Sequence, residues 1–237
     1  MRAAPPPVEA MAAELRAFSL THVQYARGDP WGAPAALVTL APVYVMVAYA
    51  TLVVTRRDLA TAALCAGQLA NEAVNYALKH AIREPRPPMP AGAVPFTERG
   101  LKYGMPSDHS QFMGFLAAYL ALWALRCWRA PRAQRALLVA LAQAAAVAVA
   151  ASRVYLGYHT PAQAAAGYGV GCVTGAVWFA AVQALARPLF PAIAGSALGR
   201  ALQLRDATRV DDVLAVEYRA TVAAASGGGG GGGKKGS

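Results

Sequence analysis

Charge is scarce in this chain, and negative charge scarcest. Asp and Glu number 12 among 237 residues against 22 Lys and Arg, and charged residues make up only 14% of the total. With 57% hydrophobic residues and a mean hydropathy of +0.34, the sequence lacks the polar surface that a soluble globular domain of its size would display. Cysteine is also sparse. Cys65, Cys127 and Cys172 lie in or beside apolar segments with no CxxC pair, which leaves them as packing residues and argues against a disulfide framework or a thiolate metal centre. No basic stripe interleaved with exposed aromatics is present, so the formal net charge of +10 does not point to nucleic acid. The first thirty residues hold Pro5, Pro6 and Pro7 among scattered charges instead of a basic start and an apolar core. No cleaved signal peptide is expected, and the first apolar segment takes over insertion. There is no internal repeat.

What the chain does have is five apolar runs, at about 35–54, 59–78, 110–125, 136–154 and 162–185. Most approach the roughly 20 residues that cross a hydrocarbon core, and the third reaches that length only by borrowing Arg126, Cys127 and Trp128. The expectation is an all-α integral membrane protein, a bundle of about five transmembrane helices with its active site at one membrane face. Several runs are rich in Ala and Gly, which suits close helix packing in lipid. The segments divide the chain into an N-terminal stretch (1–34), a transmembrane core (35–190), an amphiphilic stretch that Pro188 and Pro191 set off from the last helix (191–226), and a Gly-rich flexible tail (227–237). Lys234 and Lys235 in that tail read either as a dilysine retrieval signal of the endoplasmic reticulum or as chance.

Three short polar blocks interrupt the apolar pattern: Lys79 with Arg86-Pro87, then Pro106-Ser107-Asp108-His109, then Ser152-Arg153 with His159. Threading the membrane at each apolar run brings the end of the second, the start of the third, the end of the fourth and the start of the fifth to one side. All three blocks sit at those points, so residues about eighty positions apart can meet in one pocket. Arg56, Arg57, Arg126, Arg129, Arg132 and Arg135 mark the other side as cytoplasmic by the positive-inside rule. The cations on the pocket side (Lys79, Arg83, Arg86, Arg99, Lys102, Arg153) count against this unless they serve substrate. On that reading the pocket faces the lumen or the exterior.

Gln68, Glu72, Asn75, Lys79 and Arg86 recur at spacings of 4, 3, 4 and 7, on one helical face leading to the pocket. Asn71, Glu72 and Asn75 either line that path or join helices to one another. Ser107-Asp108 opens a helix whose free N–H groups attract phosphate, or is a plain N-cap. Arginine offers a planar fork to phosphate, and a neutral histidine can attack phosphorus. Two histidines among fixed cations are what metal-free phosphate-ester cleavage requires, since charge on the phosphoryl oxygens must be neutralised while a nucleophile attacks.

Taken together the blocks resemble the tripartite signature of the type 2 phosphatidic acid phosphatase and haloperoxidase superfamily. The surrounding wording resembles its dolichyl diphosphate phosphatases, in Leu20-Thr21-His22-Val23, Asn71-Glu72, Glu84-Pro85-Arg86-Pro87, Tyr103-Gly104-Met105-Pro106-Ser107, His109-Ser110-Gln111-Phe112-Met113, Ser152-Arg153-Val154-Tyr155-Leu156 and Tyr158-His159-Thr160. The resemblance implies His159 as nucleophile forming a phosphohistidine and His109 as the acid that protonates the leaving oxygen. It implies phosphate contacts from Lys79, Arg86, Ser107, the Asp108 backbone and Arg153, with Ser152, Gln163 and Asn75 in support. It also implies no cofactor or metal, a substrate of dolichyl diphosphate in membrane lipid, and a place in the endoplasmic reticulum membrane recycling the carrier for protein N-glycosylation. Two alternatives stay open, a broad lipid phosphate phosphatase and a non-catalytic lipid-phosphate-binding relative. Position 163 is Gln where many superfamily members have Asp, a feature shared with the dolichyl subgroup. Position 108 is Asp where the family usually has Gly or Ser, so an added carboxylate must turn away or pair with a cation such as Arg86 or Lys102.

Overall fold

The computed structural model describes residues 23–26, 28–88 and 103–227. The N-terminal wording around Leu20, the cations Arg99 and Lys102, and Lys234-Lys235 lie outside the described residues. Helix α1 (Gly32–Thr39) runs into α2 (Ala41–Arg56) across a break at Leu40, where Pro42 in the first turn of α2 supplies no N–H to the preceding turn. Helix α3 (Leu59–Ile82) starts where the Asp58 side chain accepts from the Thr61 N–H at 2.9 Å and stops at Arg83, which is left-handed (φ 58°). Helices α4 (Asp108–Arg126), α5 (Arg132–Tyr155) and α6 (Pro161–Ala181) follow. Thr160 and Gln163 close a reciprocal capping box at the start of α6.

The architecture is that of an all-α integral membrane protein. Among the described residues, three stretches are long and apolar enough to cross a membrane by length and composition: Gly32–Arg56, Arg132–Tyr155 and Pro161–Gly195. Helices α3 and α4 complete the five long helices expected, and their lower hydropathy has a physical source. They carry the polar residues, and they turn these inward. Gln68, Asn71, Asn75 and Lys79 are buried on α3 while Leu69, Val74 and Tyr76 on its other faces are exposed. Helix α4 is the most enclosed element, packed chiefly on α6 and α5 through Phe112, Met113, Phe115, Ala117 and Tyr119.

The α4–α6 contact explains how the polar blocks keep their register. Gly167, Gly171 and Gly175 line one face of α6, and a Cβ at each would clash with the carbonyl oxygens of Ser107, Gln111 and Phe115. Only hydrogen at these three positions lets the backbones approach so closely.

One expectation is corrected. Pro188 and Pro191 do not set the tail off from the last helix. The chain passes them through a π turn (Val182–Ala186) and a 3-10 turn (Arg187–Leu189) into α7 (Phe190–Gly195), because changed hydrogen-bond spacing accommodates residues that lack an N–H. Helices α8 (Ala197–Ala201) and α9 (Val213–Gly227) follow. The segment between them returns to the start of α3, where Leu59 N–H donates to Arg205 O and Arg205 N–H to Arg57 O, each at 3.0 Å.

Candidate active site

The polar blocks converge at the end of the bundle formed by the C-termini of α3 and α5 and the N-termini of α4 and α6. The α3 stripe is mostly structural. Gln111 Nε2 donates to Asn71 O (3.0 Å) and Oδ1 (2.9 Å), and Asn75 Nδ2 donates to Gln111 Oε1 (2.8 Å). These asparagines therefore join helices. Asn75 also reaches the Pro106 carbonyl at 3.4 Å, which ties it to the loop that carries Ser107. One turn further on, Lys79 is buried at the pocket wall.

Arg86 is brought back over the pocket by a short pairing across the loop, a bridge between Pro85 and Tyr103 with Gly104 N–H donating to Glu84 O at 2.7 Å. Its Nη1 donates to Tyr158 O (3.1 Å) and to His159 Nε2 (3.0 Å). Arg153, in the last turn of α5, is 4% exposed, donates through Nη1 to Thr39 Oγ1 (3.1 Å) and lies 4.0 Å over the Tyr158 ring. Ser152 is buried and turns its hydroxyl back to Val149 O at 2.7 Å, a bond within its own helix.

His159 sits in the turn after α5, where its own N–H and that of Tyr158 donate to Arg153 O. Its Nδ1 lies 3.0 Å from the Gly104 carbonyl and 3.3 Å from Gln163 Oε1. Both are acceptors, so Nδ1 carries the proton and Nε2 keeps its lone pair. Burial pushes the imidazole pKa down to about 4, Arg86 and Arg153 push the same way, and Asp108 opposes them. His159 is therefore neutral at neutral pH, and its basic Nε2 accepts from Arg86 beside the Asp108 carboxylate. Gln163 is fixed in turn, its Nε2 donating to Glu84 Oε1 and Pro85 O, each at 2.8 Å. A Cβ at Gly104 would overlap that amide, which is why the contact needs glycine.

Ser107 does cap α4, accepting from Ser110 N–H (3.5 Å) and Ser110 Oγ–H (3.1 Å). With both bonds accepted, its own hydroxyl proton has no acceptor among the described residues and can be given to a ligand. His109 and Asp108 form the rim, with side chains 27% and 30% exposed. Asp108 neither turns away nor stays clear of the pocket. Its Oδ1 lies 3.2 Å from His109 Nδ1, 3.7 Å from His159 Nε2 and 3.9 Å from Lys79 Nζ. The cation holding it is thus Lys79, and the two imidazoles meet across a single carboxylate oxygen.

Sequence reasoning passed over several parts of this arrangement. The Gly104 and Pro85 carbonyls are backbone groups and leave no residue-type signal. Thr39 shares the first apolar run with Tyr44, Tyr49 and Thr51, with nothing in the sequence to set it apart, and Gln111 has no spacing that marks it. Glu84, the carboxylate behind Gln163, could have been found by asking what stands in for the Asp missing at position 163.

Comparison with known proteins gives the family. The PAP2 superfamily model matches residues 60–187. Human dolichyldiphosphatase 1 is 39% identical over 218 residues, covering 89% of this chain and 90% of that protein. The Dictyostelium discoideum protein of the same name is 38% identical over 203 residues, 84% of this chain and 86% of its own. Lipid phosphate phosphatase gamma of Arabidopsis thaliana is 35% identical over 209 residues, 86% and 90% of the two chains. The crystal structure of a transmembrane PAP2 type phosphatidylglycerolphosphate phosphatase from Bacillus subtilis superposes with a TM-score of 0.55 at 18% identity, covering 67% of this chain and 80% of that one, and so shares the fold. On its family match, its full-length relatives and its helical architecture, this chain belongs to the PAP2 superfamily as a multi-pass integral membrane phosphatase.

Proposed function

We propose that this phosphatase removes the terminal phosphate of dolichyl diphosphate, through a phosphohistidine on His159. The observation that carries the reading is the bonding of His159, whose Nδ1–H is held by Gly104 O so that Nε2 is turned to Arg86 Nη1 (3.0 Å) and to the Asp108 carboxylate that Lys79 also meets. Nε2 attacks the terminal phosphorus, a P–N bond forms as the anhydride P–O bond breaks, and His109 at the rim delivers a proton to the departing dolichyl phosphate. The three cations and the Ser107 hydroxyl neutralise the phosphoryl oxygens as charge builds on them. Water then attacks the phosphohistidine with His109 as base, releasing orthophosphate and restoring the imidazole.

The substrate rests on the dolichyldiphosphatase relatives, which align over nearly the whole chain. A second reading, broad hydrolysis of lipid phosphates, has its support in the Arabidopsis relative. The arginines at the far end of the bundle favour a cytosolic position for that end, which turns the histidine end to the lumen of the endoplasmic reticulum, where the released carrier re-enters protein N-glycosylation. The test is phosphate release by purified protein in neutral-detergent micelles from dolichyl diphosphate, dolichyl phosphate and phosphatidate. The diphosphate is expected to be preferred, and His159→Ala to lose on the order of 10⁴-fold or more. A clear preference for phosphatidate rejects the substrate, and full activity of His159→Ala rejects the mechanism.

A further inference from the structure

The end of the bundle opposite the histidines contains a cavity of about 940 Å³, between the C-terminus of α4, the start of α5, the π turn after α6 and the returning segment 205–213. Its lining carries seven arginines against two aspartates. Both aspartates are engaged, Asp58 as the cap of α3 and acceptor of Ala207 N–H at 3.2 Å, Asp211 as partner of Arg129 at 2.9 Å. Glu217 meets Arg56 at 3.3 Å and Arg205 at 2.9 Å. The other four arginines, Arg126, Arg135, Arg187 and Arg209, have no carboxylate partner among the described residues.

Charge of one sign at this end follows from the positive-inside rule, which requires only that side chains reach water or headgroups. It does not account for Arg135. Arg135 is half-buried, its Nε is enclosed with no hydrogen-bond partner among the described residues, and its Nη1 donates to the Leu125 carbonyl at 3.4 Å. A buried guanidinium N–H left unsatisfied is costly unless an acceptor arrives from outside. Arg187 has a neutral partner, Gln183 Oε1 at 2.8 Å. The missing component is an anion with several acceptor oxygens, the pattern that a guanidinium fork matches in phosphate.

The rest of the cavity indicates what carries that phosphate. The same cavity is also lined by Tyr119, Trp123 and Phe190, and Trp128 stacks on Trp123 with ring centroids 5.5 Å apart. Leu125 and Leu189 beside it are exposed. Arginines and aromatic rings lining one cavity at the membrane end of a helical bundle fit an amphiphile, with its phosphate among the arginines and its glycerol and upper acyl chain on the indoles.

We propose that this cavity binds the headgroup of an anionic phospholipid, with Arg126, Arg135, Arg187 and Arg209 taking the phosphate. The site is separate from the histidines, and the proposal stands independently of which lipid they cleave. The test uses the full chain in neutral-detergent micelles with orthovanadate occupying the histidine end. Phosphatidylglycerol or phosphatidylcholine is titrated in, and retained lipid is counted by native mass spectrometry. Wild type is expected to keep one phosphatidylglycerol in preference to phosphatidylcholine. The double variant Arg126→Gln, Arg209→Gln changes only exposed side chains, and is expected to weaken phosphatidylglycerol binding at least tenfold while phosphatase activity stays within twofold. Retention of phosphatidylglycerol by the variant, or equal retention of phosphatidylcholine by wild type, overturns the proposal. Full competition by orthophosphate at matched concentration overturns the assignment to a lipid, since the site would then be one for free anions.

Discussion

Arg153 and Arg129 stand at opposite ends of the same bundle and show two uses of one residue type. Arg153 is buried, bonded to Thr39 and stacked on Tyr158 within reach of the histidine pocket. Arg129 has its side chain 78% exposed and makes a two-oxygen contact with Asp211 that water can replace. At the histidine end Arg86 and Arg153 are held by neutral groups, which leaves their charge for a ligand, while Lys79 lies 3.9 Å from a carboxylate. That carboxylate, Asp108, lies in the middle of the site. At the arginine end carboxylates cancel part of the charge, and solvent screens the rest. Position in the fold, more than residue type, decides what a guanidinium does.

Matched substitutions test that contrast. Arg153→Gln should lower kcat/KM by about 10²- to 10³-fold, the loss of a preorganised donor to a transition-state oxyanion, with the helical circular dichroism signal retained. A fall of less than threefold would place Arg153 outside the site. Gly171→Ala attacks the packing that keeps the α4 and α6 ends in register, and should destabilise the fold by about 1–3 kcal/mol, read as a lower thermal midpoint in detergent. An unchanged midpoint would mean that the two helices can part without cost.

The burial of His159 makes a pH prediction. An exposed imidazole is half protonated near pH 6.5, whereas this one, with its pKa pushed down to about 4, keeps its Nε2 lone pair until the pH falls to that value. The acid limb that His159 contributes to kcat/KM should therefore sit near pH 4, with about tenfold loss per unit below it. A His159-dependent limb near 6.5 would show that the imidazole is solvated in the working enzyme. Asp108→Ser removes the carboxylate that faces the phosphoryl position, and should lower KM several-fold and strengthen inhibition by vanadate. A rise in KM would instead make Asp108 a positive contributor. Arg129→Gln should be the mildest change, leaving activity within about twofold at physiological salt.

Much of the site was legible before any coordinates because ionisable groups are expensive in lipid. Lys79, Arg86, Asp108, His109, Arg153 and His159 stand out against an apolar background, and their places at successive segment ends already brought them to one face. The path through α3 was legible as a stripe but not in its role. Asn71 and Asn75 could line a pocket or join helices, and only the position of Gln111 on α4 shows that they join helices. The passage of the last helix through Pro188 and Pro191 is not legible in the sequence, because a π turn and a 3-10 turn have no simple residue signature.

The amino-acid order alone determined that this is a helical membrane protein with three polar blocks on one side of the bilayer, since hydropathy and segment count depend only on composition along the chain. Tertiary structure decided the rest. It selected the proton-bearing nitrogen of His159 through a backbone carbonyl, set Asp108 between the imidazoles and Lys79, and closed an arginine-lined cavity at the far end with a segment from beyond the last long helix. Each of these depends on which groups face one another across helices, and such distances follow from packing, here through the glycine face of α6.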